Sequence, residues 1–210
     1  MSAKKRAVDQ QEIRGETSAS VRADARRNLD KLLRAAMAVF SESGVDAPVR
    51  EIAARAGVGV GTVYRHFPQR SDLIKAIIQA EVDARVAAAS ALAESREPGE
   101  ALAAWMQSLV DLVATKRGLG AALHSGDPAY QSLPDYVLGQ LTPTLRGLLN
   151  SAAAAGVIRA GVDADELLLA GLRLATPASE GDTAQAQRMV ALLVDGLRYG
   201  ASAPAGSTSR

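Results

Sequence analysis

Apolar residues recur every three or four positions along most of this chain, which is the spacing that one face of an α-helix requires. The first such run ends at Gly44, and its apolar positions are Leu29, Leu32, Leu33, Ala36, Val39 and Phe40. Two short helices are predicted next, over residues 48–56 and 60–66. Gly57 stands between them, where a helix C-terminal cap requires positive φ. The pattern therefore predicts three helices, the last two separated by a tight turn.

The same periodicity predicts further helices over residues 71–97, 99–115, 142–156, 164–175 and 183–199. Ser71 is the expected N-cap of the first of these. Thr142 and Pro143 predict an N-cap with a first-turn proline, although a kink in a longer helix fits them equally. Residues 116–135 are rich in Gly and Pro and look irregular. No segment predicts a strand pair, so we expect an all-α fold of about nine helices.

Composition agrees with helix packing and narrows the class of protein. Hydrophobic residues make up 48% of the chain and aromatic residues only 3%, whereas sheets favour more aromatic and β-branched residues. The absence of cysteine excludes disulfides and thiolate chemistry. No apolar run approaches the ~20 residues that cross a bilayer, and the first residues lack the apolar stretch of a signal peptide. We therefore expect a cytoplasmic protein with no membrane partner.

Charge is divided unevenly along the chain. The net charge of +1 arises from +5 over residues 1–80 and −4 over residues 81–210. A basic N-terminal third followed by an acidic remainder indicates an anion-binding N-terminal region joined to a region with another role. Residues 1–21 mix charges with small polar residues and show no period, which predicts a disordered tail; residues 201–210 predict a second one.

Residues 49–70 have the order of a helix-turn-helix, a motif whose second helix enters the major groove of DNA. Small residues begin that helix, where base edges would be met: Val60, Gly61 and Thr62. Gly61 permits close approach, while Val60 and the Thr62 methyl group suit the methyl groups of thymine. The expected base readout is therefore shallow and apolar.

Polar side chains around these small residues are predicted to contact phosphates. Tyr64 and His66 lie further along the second helix as hydrogen-bond donors. Arg50 in the preceding helix and Arg70 beyond the second helix are positioned as clamps on the DNA backbone. The phenyl ring of Phe67 is expected to pack the small domain.

Residues 28–75 resemble the tetracycline-repressor (TetR) family of transcription factors. The resemblance is carried by Phe40–Gly44, Val49–Ala53, Ala56–Val58, Gly61–Phe67 and Ser71–Ile74 in this order and spacing. Pro48 and Gly59 stand where the family usually has Ser or Thr. Residues 116–123 and 155–159 resemble the C-terminal domain of an actinobacterial-type subgroup.

The resemblance implies a DNA-binding domain over residues 22–70 and a ligand-binding and dimerisation domain over residues 71–200. It also implies a homodimer that binds a palindromic operator, and a small-molecule effector that releases it. The DNA-facing residues implied by position are Val49, Arg50, Val60, Gly61, Thr62, Tyr64, His66 and Arg70.

An effector pocket is expected somewhere in residues 100–175, because apolar residues and a few side chains with polar ends flank the irregular segment 116–135. Its candidate walls are Trp105, Met106, Leu109, Leu123, His124, Tyr130, Tyr136, Leu141 and Leu145. The acidic balance of this half favours a neutral or cationic ligand.

The last two predicted helices carry more apolar residues than one face can hide, which indicates a partner subunit. The candidate interface residues are Leu168, Leu172, Met189, Leu193 and Leu197. Two helices from each chain would form a four-helix interface and place the recognition helices roughly 34–36 Å apart, on successive major grooves.

Other kinds of site fit the sequence poorly. Three glycines at 57, 59 and 61 lack both the preceding strand and the third-glycine spacing of a dinucleotide loop. His124, Ser125 and Asp127 share one short segment, whereas catalytic triads are assembled in space from separated segments. We expect no enzyme activity, cofactor or metal. The function predicted is a ligand-responsive repressor; an activator, a corepressor-dependent regulator, or a ligand-binding or structural protein that no longer binds DNA remain alternatives.

Overall fold

The computed structural model describes residues 26–117, 119–123, 125–176 and 183–199, apart from the side chains of residues 115–117 and 121. This part of the chain contains α-helices, one 3-10 turn and no strand, which confirms the all-α prediction. The elements in chain order are α1 (26–43), α2 (Val49–Ala56), α3 (Val60–His66), α4 (Arg70–Ser95), α5 (Pro98–Arg117), α6 (Gly120–Leu123), the 3-10 turn Pro128–Tyr130, α7 (Leu133–Ala154), α8 (Ala164–Leu174) and α9 (Thr183–Arg198). The predicted tails 1–21 and 201–210 lie outside the described residues.

Helices α1, α2 and α3 pack around a small apolar core, as the periodicity predicts. Phe40, Ile52 and Val63 contribute one buried side chain from each helix. Gly57 ends α2 in the left-handed region at φ 69°, which a residue without Cβ adopts at little cost. Val58 follows with its N–H donating to the Ala53 carbonyl at 3.0 Å, and its side chain is half-buried against the core. The turn thereby fixes α3 across α2.

Helix α4 begins at Arg70, so the predicted cap at Ser71 is wrong by two residues. Gln69 is the N-cap, and its backbone N–H donates to the Asp72 carboxylate at 3.2 Å. Asp72, at the third helical position, supplies the acceptor that a capping box requires, while Ser71 is buried within the first turn. Leu73, Ile74 and Ile77 of α4 join the core of α1–α3 to the rest of the molecule.

Helix α5 forms the centre of the C-terminal part and packs against α4, α7, α8 and α9. Trp105 is fully buried, and its indole N–H donates to the Arg85 carbonyl of α4 at 2.9 Å. Gly171 of α8 lies so close that an added Cβ would be 2.9 Å from Met106 Cε. These contacts hold α4 and α8 against two consecutive residues of α5.

Helix α7 runs without interruption from Leu133 to Ala154 and contains Pro143 in its interior. The predicted helix start at Thr142 is therefore wrong, and the alternative of a longer helix is correct. Pro134 occupies the first turn instead, and buried Leu133, Val137 and Leu141 continue the apolar face across the proline. Burial of this face outweighs the hydrogen bond that Pro143 cannot donate.

The other helices, apart from α6, agree with the periodicity to within two residues at their ends. Helix α6 and the 3-10 turn lie in the segment 116–135, which was predicted to be irregular. None of the helices in the described ranges is both long and apolar enough to cross a membrane.

Candidate DNA-binding surface and effector cavity

Helix α3 is anchored on its inner side and open on its outer side. Val63 is 1% exposed and packs into the core of the three-helix unit. On the outer face Tyr64 is 53% exposed and Val60 is 40% exposed. Because Val60 and Tyr64 are four residues apart, their side chains lie on the same exposed face of α3.

The other predicted contacts on α3 surround these two side chains. Gly61 and His66 are exposed, and no atom lies within 4 Å of a Cβ placed on Gly61. Thr62 is half-buried at the same end of the helix, and so is Val49 at the start of α2. The structure therefore places the small residues at a slim, open helix N-terminus, the shape that a major groove of about 12 Å admits.

Arg50 and Arg70 differ sharply in their surroundings. Arg50 is exposed in the first turn of α2, and it has no hydrogen-bond or ion-pair partner among the described residues. Arg70 is half-buried, and its Nη1 donates to the carbonyls of Val45 and Ala47, the latter at 2.9 Å. Its guanidinium carbon also lies 5.9 Å from the ring centroid of Phe40. The position of Arg70 thus favours a clamp on the protein's own backbone over a contact with phosphate.

Arg65 is an exposed cation on α3 that sequence reasoning missed. Its Nε donates to the Gly61 carbonyl at 3.2 Å and its Nη2 donates to Thr62 Oγ1 at 3.3 Å. The spacing of three and four residues, which brings side chains together on one helix face, was the available signal. Arg65 therefore adds positive charge beside the small N-terminal residues.

A cavity of about 310 Å³ opens between α4, α6, the 3-10 turn, α7 and α8. Its described walls are Ile78, Leu123, Tyr130, Leu133, Pro134, Val137, Leu138, Leu169 and Leu172. Two larger surface depressions, one between α8 and α9 and one between α1 and α4, are lined in part by charged side chains. The smaller cavity is the one with apolar walls, as small-molecule sites require.

Two of the nine predicted pocket residues, Leu123 and Tyr130, line this cavity. Five others are fully buried in the helix core, where their side chains contact other helices: Trp105, Met106, Leu109, Leu141 and Leu145. Periodic apolar positions identify burial but not which buried side chain faces a void. His124 lies outside the described residues.

Tyr136 joins two helices instead of lining the cavity. Its hydroxyl donates to Asp83 Oδ1 at 2.7 Å and so links α7 to α4. Burial, followed by the hydrogen bond to the Asp83 carboxylate, raises the pKa of Tyr136 to about 12. The interaction ties the middle of α4 to the C-terminal helices.

The predicted interface residues of α8 and α9 divide into two groups. Leu168 and Leu197 are buried within the protomer, so they are unavailable to a partner and that part of the prediction is wrong. Other leucines are exposed instead: Leu169, next to Leu168 on α8, is 41% exposed, and Leu192 on α9 is 64% exposed. Leu172 and Leu193 are half-buried and Met189 is 36% exposed.

Comparisons with known proteins identify both halves of the chain. Residues 32–77 match the family model for bacterial regulatory proteins of the tetR family. Residues 97–199 match the model for the C-terminal domain of SbtR-like transcriptional regulators. Among curated proteins, the HTH-type transcriptional regulator SAUSA300_2515 of Staphylococcus aureus (strain USA300) is 39% identical over 64 residues, or 30% of this chain. That match spans 35% of the length of the Staphylococcus aureus protein.

Solved structures extend the similarity over most of the chain. The TetR transcriptional regulator SCO0520 of Streptomyces coelicolor is 38% identical with a TM-score of 0.70, over 80% of this chain and 97% of that one. A TetR regulatory protein of Mycobacterium vanbaalenii is 35% identical with a TM-score of 0.67, over 85% and 99%. FadR of Bacillus subtilis, solved with stearoyl-CoA, shares the fold at 21% identity and a TM-score of 0.60, over 80% and 98%.

The helix-turn-helix geometry, the two family models and the identity to solved regulators lead to one conclusion: this chain belongs to the TetR family of transcriptional regulators.

Proposed function

We propose that this protein is a transcriptional repressor that binds a palindromic operator as a homodimer and is released by a small-molecule effector. The observation that carries the proposal is the outer face of α3, where Val60 and Tyr64 are exposed beside the open N-terminus at Gly61. Such a face is suited to base edges and phosphates. The protein acts by binding, not catalysis, in the cytoplasm where its operator is found.

The proposed DNA contacts fall into two groups. Val60, Gly61 and Thr62 approach base edges, with methyl groups that suit thymine. A second group contacts phosphates or their surroundings: Val49, Arg50, Tyr64 and His66. Arg50 supports this division because its guanidinium is exposed and has no partner in the described part of the chain. Arg70 acts instead on the turn between α1 and α2.

The proposed dimer uses the outer faces of α8 and α9. Met189 and Leu192 lie on one face of α9, three residues apart, and both are exposed. Gly196 continues the face of α9 by one turn, and open space surrounds the position of its missing Cβ. An apolar stripe with a glycine allows two helices to approach closely, and a two-fold axis makes the patch self-complementary.

The proposed effector site is the cavity between α4 and α8. Ile78 places α4 in its wall, and α4 begins at Arg70, which holds the DNA-binding unit. A ligand releases DNA only if it binds the two states of the dimer unequally, so the cavity must differ between them. The direct path along α4 supplies a physical connection between cavity and α3.

The test begins with selection of DNA from a random pool by the purified protein. We expect a palindrome with half-sites about one helical turn apart. Tyr64→Ala should lower operator affinity strongly while sedimentation still reports a dimer. Tyr136→Phe is the matched control, since that hydroxyl lies between α4 and α7, and its operator affinity should be unchanged. Selection of no sequence, or full affinity of the Tyr64 variant, contradicts the proposal.

A further inference from the structure

We propose that the cavity accepts an uncharged, mainly apolar small molecule that offers one hydrogen-bond acceptor to the hydroxyl of Tyr130. The inference rests on the proposed function, because it names the chemical class of the effector that this cavity binds. Three properties of the cavity support it: the volume, the absence of charge in its described walls, and one polar group without a partner.

The volume is sufficient for a small organic molecule. At about 310 Å³ the cavity lies at the lower end of the ~300–1,000 Å³ that ligand pockets span. Because it opens to the surface, a longer ligand can extend beyond its mouth.

The walls disfavour a charged ligand. Eight of the nine described wall residues have aliphatic side chains, and the ninth is Tyr130. None of the nine carries a formal charge, so an anion or a cation would lose hydration without gaining an ionic partner from them. The charged groups that act on the Tyr130 hydroxyl, Asp127, Arg70 and Asp72, are not among the wall residues. The cost of such burial is large, and a charged group avoids apolar surroundings for that reason.

Tyr130 supplies the one polar side chain in the described walls. It is 9% exposed, and its hydroxyl has no hydrogen-bond partner among the described residues. Burial is the main cause that raises the pKa of Tyr130, and Asp127 and Asp72 add to the rise while Arg70 opposes it. The phenol therefore keeps its proton at neutral pH and can donate it to a ligand. The hydroxyl is therefore available to pair with an acceptor on a ligand in the cavity.

Four phenyl compounds of similar size test this class directly. Butyrophenone is neutral and has a carbonyl acceptor, butylbenzene is neutral without one, phenylbutyrate is an anion and phenylbutylamine is a cation at neutral pH. Binding to the full-length protein without DNA is measured by calorimetry and by thermal shift. We expect butyrophenone to bind most tightly, with both charged compounds at least tenfold weaker.

Two tyrosine variants then assign the hydrogen bond. Tyr130→Phe should weaken butyrophenone about 3- to 10-fold, the range of one neutral hydrogen bond, and leave butylbenzene unchanged. Tyr136→Phe is the matched control, because its hydroxyl is bonded to Asp83, and it should alter neither affinity. Leu138→Trp, which fills the cavity from one wall, should weaken both neutral compounds.

The outcomes separate this inference from the proposed function. Equal or tighter binding of phenylbutyrate or phenylbutylamine overturns the ligand class, and so does the absence of binding by both neutral compounds. An equal loss of butylbenzene and butyrophenone in Tyr130→Phe overturns the role of the hydroxyl. Operator release is measured separately. Butyrophenone that binds with the expected pattern but never weakens operator binding supports the ligand class and contradicts the effector role.

Discussion

Replacing Arg70 with alanine distinguishes a structural clamp from a phosphate contact. Arg70 Nη1 donates to the carbonyls of Val45 and Ala47, and the guanidinium lies over the ring of Phe40. Alanine removes all three interactions and leaves the turn between α1 and α2 free to move relative to α4. We therefore expect Arg70→Ala to lose stability first and DNA affinity as a consequence.

The magnitude follows from the contacts. A hydrogen bond from a charged donor is worth about 1.5–3 kcal/mol. Because both bonds leave one nitrogen, we count them together as about 2 kcal/mol, and the contact with Phe40 adds about 0.5–1 kcal/mol. The expected loss of unfolding free energy is thus about 2–3 kcal/mol, which lowers the Tm of a chain of this size by about 4–12 °C.

The assay compares Arg70→Ala with Arg50→Ala by thermal melting and by operator affinity at several salt concentrations. An exposed arginine on phosphate contributes about 0.9 to the slope of log affinity against log salt, or about 1.8 in a symmetric dimer. Arg50→Ala should reduce the slope by that amount with an unchanged Tm. Arg70→Ala should lower the Tm with an unchanged slope. A reduced slope with an unchanged Tm in Arg70→Ala would refute the clamp.

Three further predictions concern the backbone, the interface and pH. Gly57→Ala should lower the free energy of unfolding by about 1 kcal/mol because Gly57 has positive φ. Gly61→Ala should keep the Tm of the original protein but bind the operator more weakly, because its new methyl group enters the groove. An equal Tm of the two variants contradicts this prediction. Leu192→Glu should give a folded monomer by sedimentation and circular dichroism, and a dimer that persists refutes the α9 face. The pKa of Tyr136 is raised to about 12 in the folded protein, so its bond to Asp83 stabilises the fold below about pH 10 and this contribution is lost as the pH rises toward 12. Tyr136→Phe should lack that step in alkaline melting curves, and an identical step in both proteins contradicts the assignment.

Periodicity alone predicts the helices well because each buries one continuous face. The boundary between α2 and α3 follows from Gly57, which ends α2 with positive φ, and from Gly59, whose extended backbone precedes α3. The start of α7 was missed because Thr142 and Pro143 resemble an N-cap followed by a first-turn proline, and only burial of Leu133 and Val137 reveals that the helix begins earlier. Local sequence signals therefore do not predict a helix boundary that is determined by burial against other helices.

The surfaces are harder to predict than the helices. The motif alone predicts that Tyr64 and Val60 lie on the outer face of α3, because two short helices and one turn fix their positions. The walls of the cavity could not, since a void depends on how helices from separate parts of the chain meet; Leu133 and Leu169 are far apart in sequence. Leu168 and Leu169 illustrate the same limit on α8, where two consecutive leucines differ because the first is buried in the core and the second is exposed on the surface.

The anchoring of α4 makes this helix a lever with unequal arms. Asp83, held by Tyr136, lies five residues from Ile78 in the cavity wall and thirteen from Arg70, or about 7.5 Å and 20 Å along the axis. A displacement of about 0.5 Å at Ile78, pivoting at Asp83, becomes about 1.3 Å at Arg70. In the proposed two-fold dimer the opposed displacements would sum to about 2.6 Å between the DNA-binding units, against a rise of about 3.4 Å per base pair. The proposed effector would thus change the spacing of these units by most of one base-pair step while moving Ile78 by only about 0.5 Å.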